Sequence, residues 1–419
     1  MTDTSRACNR IVIHYADIAL KGRNRPRFEA RLGRQIEWRL KRLALPWPVR
    51  RAGGRMAIEI GAERERIDEV LAFLGETPGI AIYFPAQWFP AKSGGRSEAE
   101  FLRGPVPAAL LALARSLHRE GARFAVRVER HDPGLEVSGT ALEAALGSLI
   151  LAETPWEGVN LSAPDRTFHI GLYPEGAFLS AERRRGLGGM PAGTAGRVVV
   201  LLSGGIDSPL AAFLMARRGC AVDCLHFSAG YPSADEIAQA PPGRLAALLS
   251  RYAQTLRLHV LPYVEFDLAL AGPTTGHELL LFRRFMLRSA ERLAQRSGAS
   301  ALVTGDSLSQ VASQTLANLV SLDAAVAMPV FRPLIGLNKP EIIAWAREIG
   351  SYPISIEAYK DCCALIARNP KTQSQPAHLE GVERERLGDY EALIEATFAQ
   401  VLSLHFEAGE RVAEPSASP

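Results

Sequence analysis

The sequence predicts a multidomain α/β protein whose last large domain is a doubly wound parallel sheet. Three observations predict it. The chain has 419 residues, 47% hydrophobic and 22% charged, enough for two to four soluble domains that each bury a core. Its first 78 residues alternate short β-branched runs with helical apolar stripes. After residue 196 a continuous apolar run, a glycine turn, a helix and a second apolar strand follow in order, which is a βαβ unit.

Within residues 1–78, IVIHY reads as a strand and KGRNRP as a loop. Phe28, Leu32, Ile36, Leu40 and Leu43 then recur at helical spacing, with Pro26 suited to the first turn. GGRMAIEI is a second strand and ERIDEVLAFL a second helix, together a small α+β sandwich. Residues 79–182 hold a further α/β unit, with helices near PAALLALARSLHRE and ALEAALGSLILAE and strands at RFAVRVER and RTFHIGLY. RRRGLGGMPAGTAG reads as a linker into the third domain, residues 183–376, whose strands and helices alternate through PEIIAWAREIG. Residues 377–419 read as an acidic helix and tail ending in AEPSASP.

Composition narrows the function classes. No apolar run is long enough to span a membrane, and MTDTSRACNR lacks the apolar core of a signal peptide. Five cysteines (Cys8, Cys220, Cys224, Cys362, Cys363) do not form a disulfide framework, so a reducing, cytoplasmic setting is expected. Charge is uneven. Residues 1–51 carry 13 Lys/Arg against 4 Asp/Glu, a net +9, whereas residues 376–419 carry 3 against 9, a net −6. A basic N-terminal region suits a polyanion, nucleic acid first among them.

LLSGGIDS, residues 201–208, carries the chemistry. Adjacent Gly204 and Gly205 let the backbone turn its N–H groups onto an anion, and the helix that follows points its positive end there. Ser203 and Ser208 offer hydroxyl donors, and Asp207 can hold Mg²⁺ against phosphate oxygens. No Lys follows the glycines, so this is not a Walker loop. LVTGDSLSQVASQT, residues 302–315, follows a strand and places Gly305 and the polar Gln310, Ser313 and Gln314 at the end of the sheet where ligands bind. Arg283, Arg284, Arg332 and Lys339 are candidates to neutralise phosphate charge. His226 and Phe227, ending the strand after the loop, join Leu202 and Ile206 as candidates for nucleotide contact.

SGGIDS resembles the PP-loop of ATP pyrophosphatases. The stretches IALKGRNRPRFE, GLGGMPAGTAGRVVVLLSGGIDSPLAA, RRFMLRSAE, LVTGDSLSQVASQT, FRPLIGLNKPEII and DCCALIARNPKT, spanning residues 18–372, resemble the tRNA 4-thiouridine synthetases, or tRNA sulfurtransferases. The resemblance implies a ferredoxin-like domain at 1–78, a THUMP RNA-binding domain at 79–182 and a PP-loop domain at 183–376. It implies ATP and Mg²⁺ as cofactors, and tRNA as a partner, with Lys21, Arg23, Arg25 and Arg27 as phosphate contacts. It implies Cys363 as the sulfur-handling residue, uridine-8 as the target and a homodimer. Only 43 residues follow Pro376, too few for the rhodanese-like domain of longer relatives, so a cysteine desulfurase or other persulfide donor is expected to supply sulfur. No CxxC pair suggests an iron–sulfur cluster. Sulfur transfer for the thiazole of thiamine, or tRNA binding without catalysis, are the alternative readings. Two positions depart from the family's pattern. Asp306 stands where relatives carry Glu, and Ser309, expected to crowd the pocket, where they carry Gly.

Overall fold

The structure is a computed structural model that describes residues 7–15, 17–52, 54–91, 97–134, 136–271, 276–359 and 371–413. These residues fall into two compact units, 1–189 and 190–419.

The first unit is built on strands β1 (Arg10–His14), β2 (Val49–Ala52), β3 (Arg55–Glu59), β4 (Ile82–Pro90), β5 (Phe124–Arg130), β6 (Arg166–Tyr173), β7 (Gly176–Ser180) and β8 (Arg184–Arg185). Seven of them form one path, β2-β3-β1-β4-β7-β6-β5, with β8 pairing β4. The first half of β4 pairs β1 and its second half pairs β7, so one strand serves both of the N-terminal domains expected from sequence. Helix α1 (Arg25–Arg42) buries Leu32, Ile36 and Leu40, as their spacing predicts. They share a core with Ile11, Ile13 and the face of α2 (Ile67–Gly75) that carries Val70, Leu71 and Leu74. Helices α3 (Glu98–Leu102), α4 (Pro105–Leu117) and α5 (Gly139–Glu153) close a second core around Phe124, Trp156 and Phe168.

The second unit has strands β9 (Arg197–Leu201), β10 (Ala221–Ser228), β11 (Thr255–Pro262), β12 (Ala301–Val303), β13 (Val330–Phe331), β14 (Leu402–Glu407) and β15 (Glu410–Val412), in the order β13-β12-β9-β10-β11-β14-β15. The first five run parallel, whereas β14 joins β11 antiparallel and β15 follows it. These last two strands lie in the segment expected to be helix and tail. Its helical pattern ends at Phe398, and the alternating LSLHFE is a strand.

Helices α6 (Asp207–Arg217), α7 (Ala234–Gln239), α8 (Pro241–Ala253), α9 (Val264–Ala269), α10 (Glu278–Ser297), α11 (Leu316–Asp323), α12 (Lys339–Glu348), α13 (Tyr352–Ser355), α14 (Pro376–Leu387) and α15 (Tyr390–Phe398) complete the unit. The acidic C-terminal charge has a structural destination. Arg284, Arg288, Arg292 and Arg296 recur every four residues along α10 and so form one row. They pair with Glu383 on α14 and Glu391 and Glu395 on α15. That row clamps the last helices onto α10, which also carries the buried Phe282 and Phe285.

Candidate active site

The site forms where β9 and β12 end. Leu202 continues β9 in buried backbone, its N–H donating to Leu225 O at 2.8 Å. The loop then closes on itself. Ser203 N–H donates to Ser208 Oγ at 2.8 Å, the two serine hydroxyls lie 3.0 Å apart, and Gly205 N–H donates to Ser203 Oγ at 3.2 Å. The serines therefore fix the loop's shape. α6 starts at Asp207 and buries every residue from Ser208 to Phe213. Its N–H groups and positive end point into the loop. Two glycines are required by close approach. A Cβ at Gly305 would sit 2.7 Å from Ser208 N, and one at Gly204 would sit 2.8 Å from the Tyr359 ring.

Two carboxylates flank this loop. Asp207 accepts from Lys339 Nζ at 2.6 Å and from Gln310 Nε2 at 3.0 Å. Lys339 begins α12, which Asn338 and Glu341 cap reciprocally. Asp306 is buried and accepts from Arg283 at 2.6 Å, Thr304 Oγ1 at 2.8 Å, Gln314 Nε2 at 3.1 Å and Arg332 at 3.3 Å. Burial pushes the Asp306 carboxyl up, but Arg283, Thr304 and Arg332 outweigh it and hold the group below its ordinary value. Arg332 also grips Asp323, at 2.6 and 3.0 Å. The amide oxygens of Gln310 and Gln314 are buried with no hydrogen-bond partner among the described residues, unlike their NH₂ groups. Two acceptors are thus left open beside the loop, a chemistry that suits ligand donors or a hard cation.

Several expectations change. Arg284 does not face phosphate. It is fully buried, grips both oxygens of Glu383 at 2.8 Å and donates its remaining Nη to Ser321 O. The Phe227 side chain belongs to the core, edge-on to Phe282 and Phe285, so a nucleotide contact there falls to its backbone. Gly305 serves close packing of the two loops. Ser309 is exposed. It takes a left-handed φ of 61°, the conformation that favours glycine, with its N–H donating to Gln314 O at 2.9 Å. His226 is buried, with Nδ1 3.0 Å from Leu202 O and Nε2 2.9 Å from the Tyr359 hydroxyl.

Tyr359 is the residue that sequence reasoning missed. Its signal was position alone, three residues before Cys362. Cys362 and Cys363 themselves lie outside the described residues. Cys8, Cys220 and Cys224 are buried, and burial pushes each thiol up, Cys8 to about 11, which disfavours the reactive thiolate. Cys8 is covered although it stands in the polar stretch MTDTSRACNR.

In the first unit, Arg23 and Arg27 are exposed on the turn and helix that open α1. Lys21 lies over the Phe28 ring. Arg25 is engaged with Glu29 at 2.7 Å and the Tyr15 hydroxyl at 3.1 Å, which makes it a clip for the turn.

Comparisons place this arrangement among known proteins. The family profile described as thiamine biosynthesis protein (ThiI) matches residues 193–387, the ThiI ferredoxin-like domain matches 10–83 and the THUMP domain matches 108–182. A probable tRNA sulfurtransferase of Brevibacillus brevis is 34% identical over 397 residues, covering 93% of this chain and 94% of the relative. One of Nocardia farcinica is 39% identical over 403 residues, covering 94% and 93%. The crystal structure of a 4-thiouridine synthetase–RNA complex with bound ATP superimposes with a TM-score of 0.80 at 31% identity, covering 96% of this chain and all of that one.

Proposed function

The chain belongs to the tRNA sulfurtransferase family, and we propose that it adenylates a tRNA uridine with ATP and then replaces the activated oxygen with sulfur handled by Cys363. One observation carries the site assignment: Asp207, at the first turn of α6, is shared by Lys339 and Gln310 directly beside the glycine loop. In this reading Leu202, Ser203, Gly204, Gly205, Ile206, Asp207 and Ser208 hold the ATP phosphates, with Gln314 beside them. Backbone N–H groups and the helix end stabilise the anion. Asp207, with the open Gln310 oxygen nearby, would hold Mg²⁺, which supplies charge neutralisation on the polyphosphate.

The uridine O4 attacks the α-phosphorus and pyrophosphate departs, its growing charge met by Lys339. A terminal persulfide sulfur then attacks C4, and AMP leaves with the original oxygen. A second thiol cleaves the sulfur–sulfur bond of that adduct. It is left in a disulfide with the carrier, and sulfur stays on C4. Adenylation is needed because it turns a poor leaving oxygen into a good one.

Uridine-8 as target, a cysteine desulfurase or other persulfide donor, a homodimer and a cytoplasmic location are parts of the same proposal. Among the described residues no helix is long and apolar enough to cross a membrane. Arg23 and Arg27, exposed at the start of α1, are the phosphate contacts this reading favours, and Lys21 and Arg25 support them. The match to the thiamine biosynthesis profile favours one second reading, that the same persulfide chemistry also supplies sulfur for a thiazole. Single-turnover thiolation of unmodified tRNA, with ATP, Mg²⁺ and a persulfide-loaded desulfurase, tests the main proposal. Wild type should yield pyrophosphate, AMP and thiouridine, Cys363→Ala pyrophosphate and adenylated tRNA without thiouridine, and Asp207→Ala none of these. A wild-type protein that binds tRNA but releases no AMP would overturn it.

A further inference from the structure

Resting on that functional reading, we propose that Lys339 holds the metal's place on Asp207 until ATP·Mg²⁺ arrives, and that Gln310 is a positioning residue that keeps the carboxylate aimed through the exchange. The two side chains divide the carboxylate between them. Lys339 Nζ lies 2.6 Å from Oδ1, and Gln310 Nε2 lies 3.0 Å from Oδ2. A carboxylate oxygen only accepts, so the Gln310 amide must present its NH₂ group to Asp207 and turn its oxygen away. That oxygen is buried with no hydrogen-bond partner among the described residues. Gln310 therefore gives Asp207 a donor and keeps an acceptor for the waters that Mg²⁺ carries.

Lys339 is held on different terms. It is the first residue of α12, where the positive end of the helix disfavours a cation. Asp207, at the first turn of α6, holds the ammonium there, although the Lys339 side chain is 40% exposed and has room to leave. A divalent ion about 2.1 Å from the same carboxylate oxygen would lie within about 5 Å of that ammonium. The two cations repel, so Lys339 gives up Oδ1 as the ion enters and is freed to meet the polyphosphate. Gln310 carries no charge and meets no such repulsion, so its grip on Oδ2 outlasts the exchange.

The exchange predicts opposite changes at the two positions. Mn²⁺, a hard ion with the same oxygen preference, is titrated into the full chain without ATP or tRNA and followed by electron paramagnetic resonance. Lys339→Met should bind Mn²⁺ about tenfold more tightly than wild type, the effect of removing one like charge at this range. Adding Asp207→Asn should cancel that gain. Gln310→Met should weaken Mn²⁺ binding about fivefold, the size of one neutral hydrogen bond. With tRNA and ATP, Gln310→Met should need about fivefold more Mg²⁺ for half-maximal pyrophosphate release, its rate at saturating Mg²⁺ staying within about threefold of wild type. A residue that only supported the fold would lower the rate at every Mg²⁺ concentration. Thermal unfolding checks that folded proteins are compared, and Lys339→Gln replaces Lys339→Met if that variant does not fold. Mn²⁺ binding no tighter than wild type in the Lys339 variant overturns the exchange, and an unchanged Mg²⁺ requirement in Gln310→Met overturns the positioning role. A wild-type protein that releases no pyrophosphate overturns the functional reading instead, and the Mn²⁺ titration, which uses neither ATP nor tRNA, tells the two failures apart.

Discussion

The loops after β9 and β12 meet at the head of α6 and each brings a carboxylate, yet the two are built on opposite plans. Asp306 is 5% exposed and holds four donors, two of them arginines that are themselves anchored. Asp207 is 22% exposed and holds one lysine and one amide, both on side chains able to turn away. A buried, fully partnered carboxylate is costly to disturb and fixes backbone; an accessible one can exchange partners when a polyphosphate arrives. The difference teaches that the cluster richest in charge is the frame, and the sparser one is the working part. Adjacent Arg283 and Arg284 repeat the lesson. One points to Asp306 beside the site, whereas the next, about 100° around the helix, turns into the interior to clamp Glu383.

The comparison is broken most severely at Asp306. Asp306→Ala takes from Arg283 its carboxylate partner and from Arg332 one of two, in a buried setting, and should cost about 3–5 kcal/mol in urea unfolding. Asp207→Ala should leave that unfolding nearly unchanged while lowering AMP formation about 10²–10³-fold, the scale of losing one preorganised polar group. Acid sharpens the contrast. Because the folded Asp306 carboxyl is held below its ordinary 3.8, the stability it contributes is full above that pH and is lost as pH falls through the lower folded value. The stability gap between wild type and Asp306→Asn, followed by unfolding at stepped pH, should therefore close below pH 3.8. The smallest effect is at Ser309. Ser309→Gly relieves a left-handed backbone and should raise stability by about 0.5 kcal/mol, with AMP formation unchanged.

Much of this was legible in the sequence, for stated reasons. The apolar spacing along α1 and the run VVVLL before two glycines report burial directly, and burial is what periodicity encodes. Asp207, Gln310 and Lys339 were found because loop motifs keep their chemistry local, although their convergence over 132 residues of chain was not visible. Arg284 was misread because RR names two cations without saying which one the helix turns inward. Its partner Glu383 lies 99 residues away, in a segment that reads as a solvated acidic helix. Tyr359 escaped for the same reason: an aromatic in a polar stretch shows nothing of the glycine and histidine it meets in space.

The most direct test of the division between frame and working part is to prepare Asp207→Asn and Asp306→Asn together and measure two quantities on each. These are the urea midpoint and the single-turnover rate of AMP formation with tRNA and ATP. The predicted result is a crossed pattern. Asp207→Asn keeps the wild-type midpoint and loses AMP formation, whereas Asp306→Asn loses its midpoint first and retains AMP formation in whatever fraction stays folded. An Asp207→Asn protein that forms AMP at the wild-type rate would contradict the account.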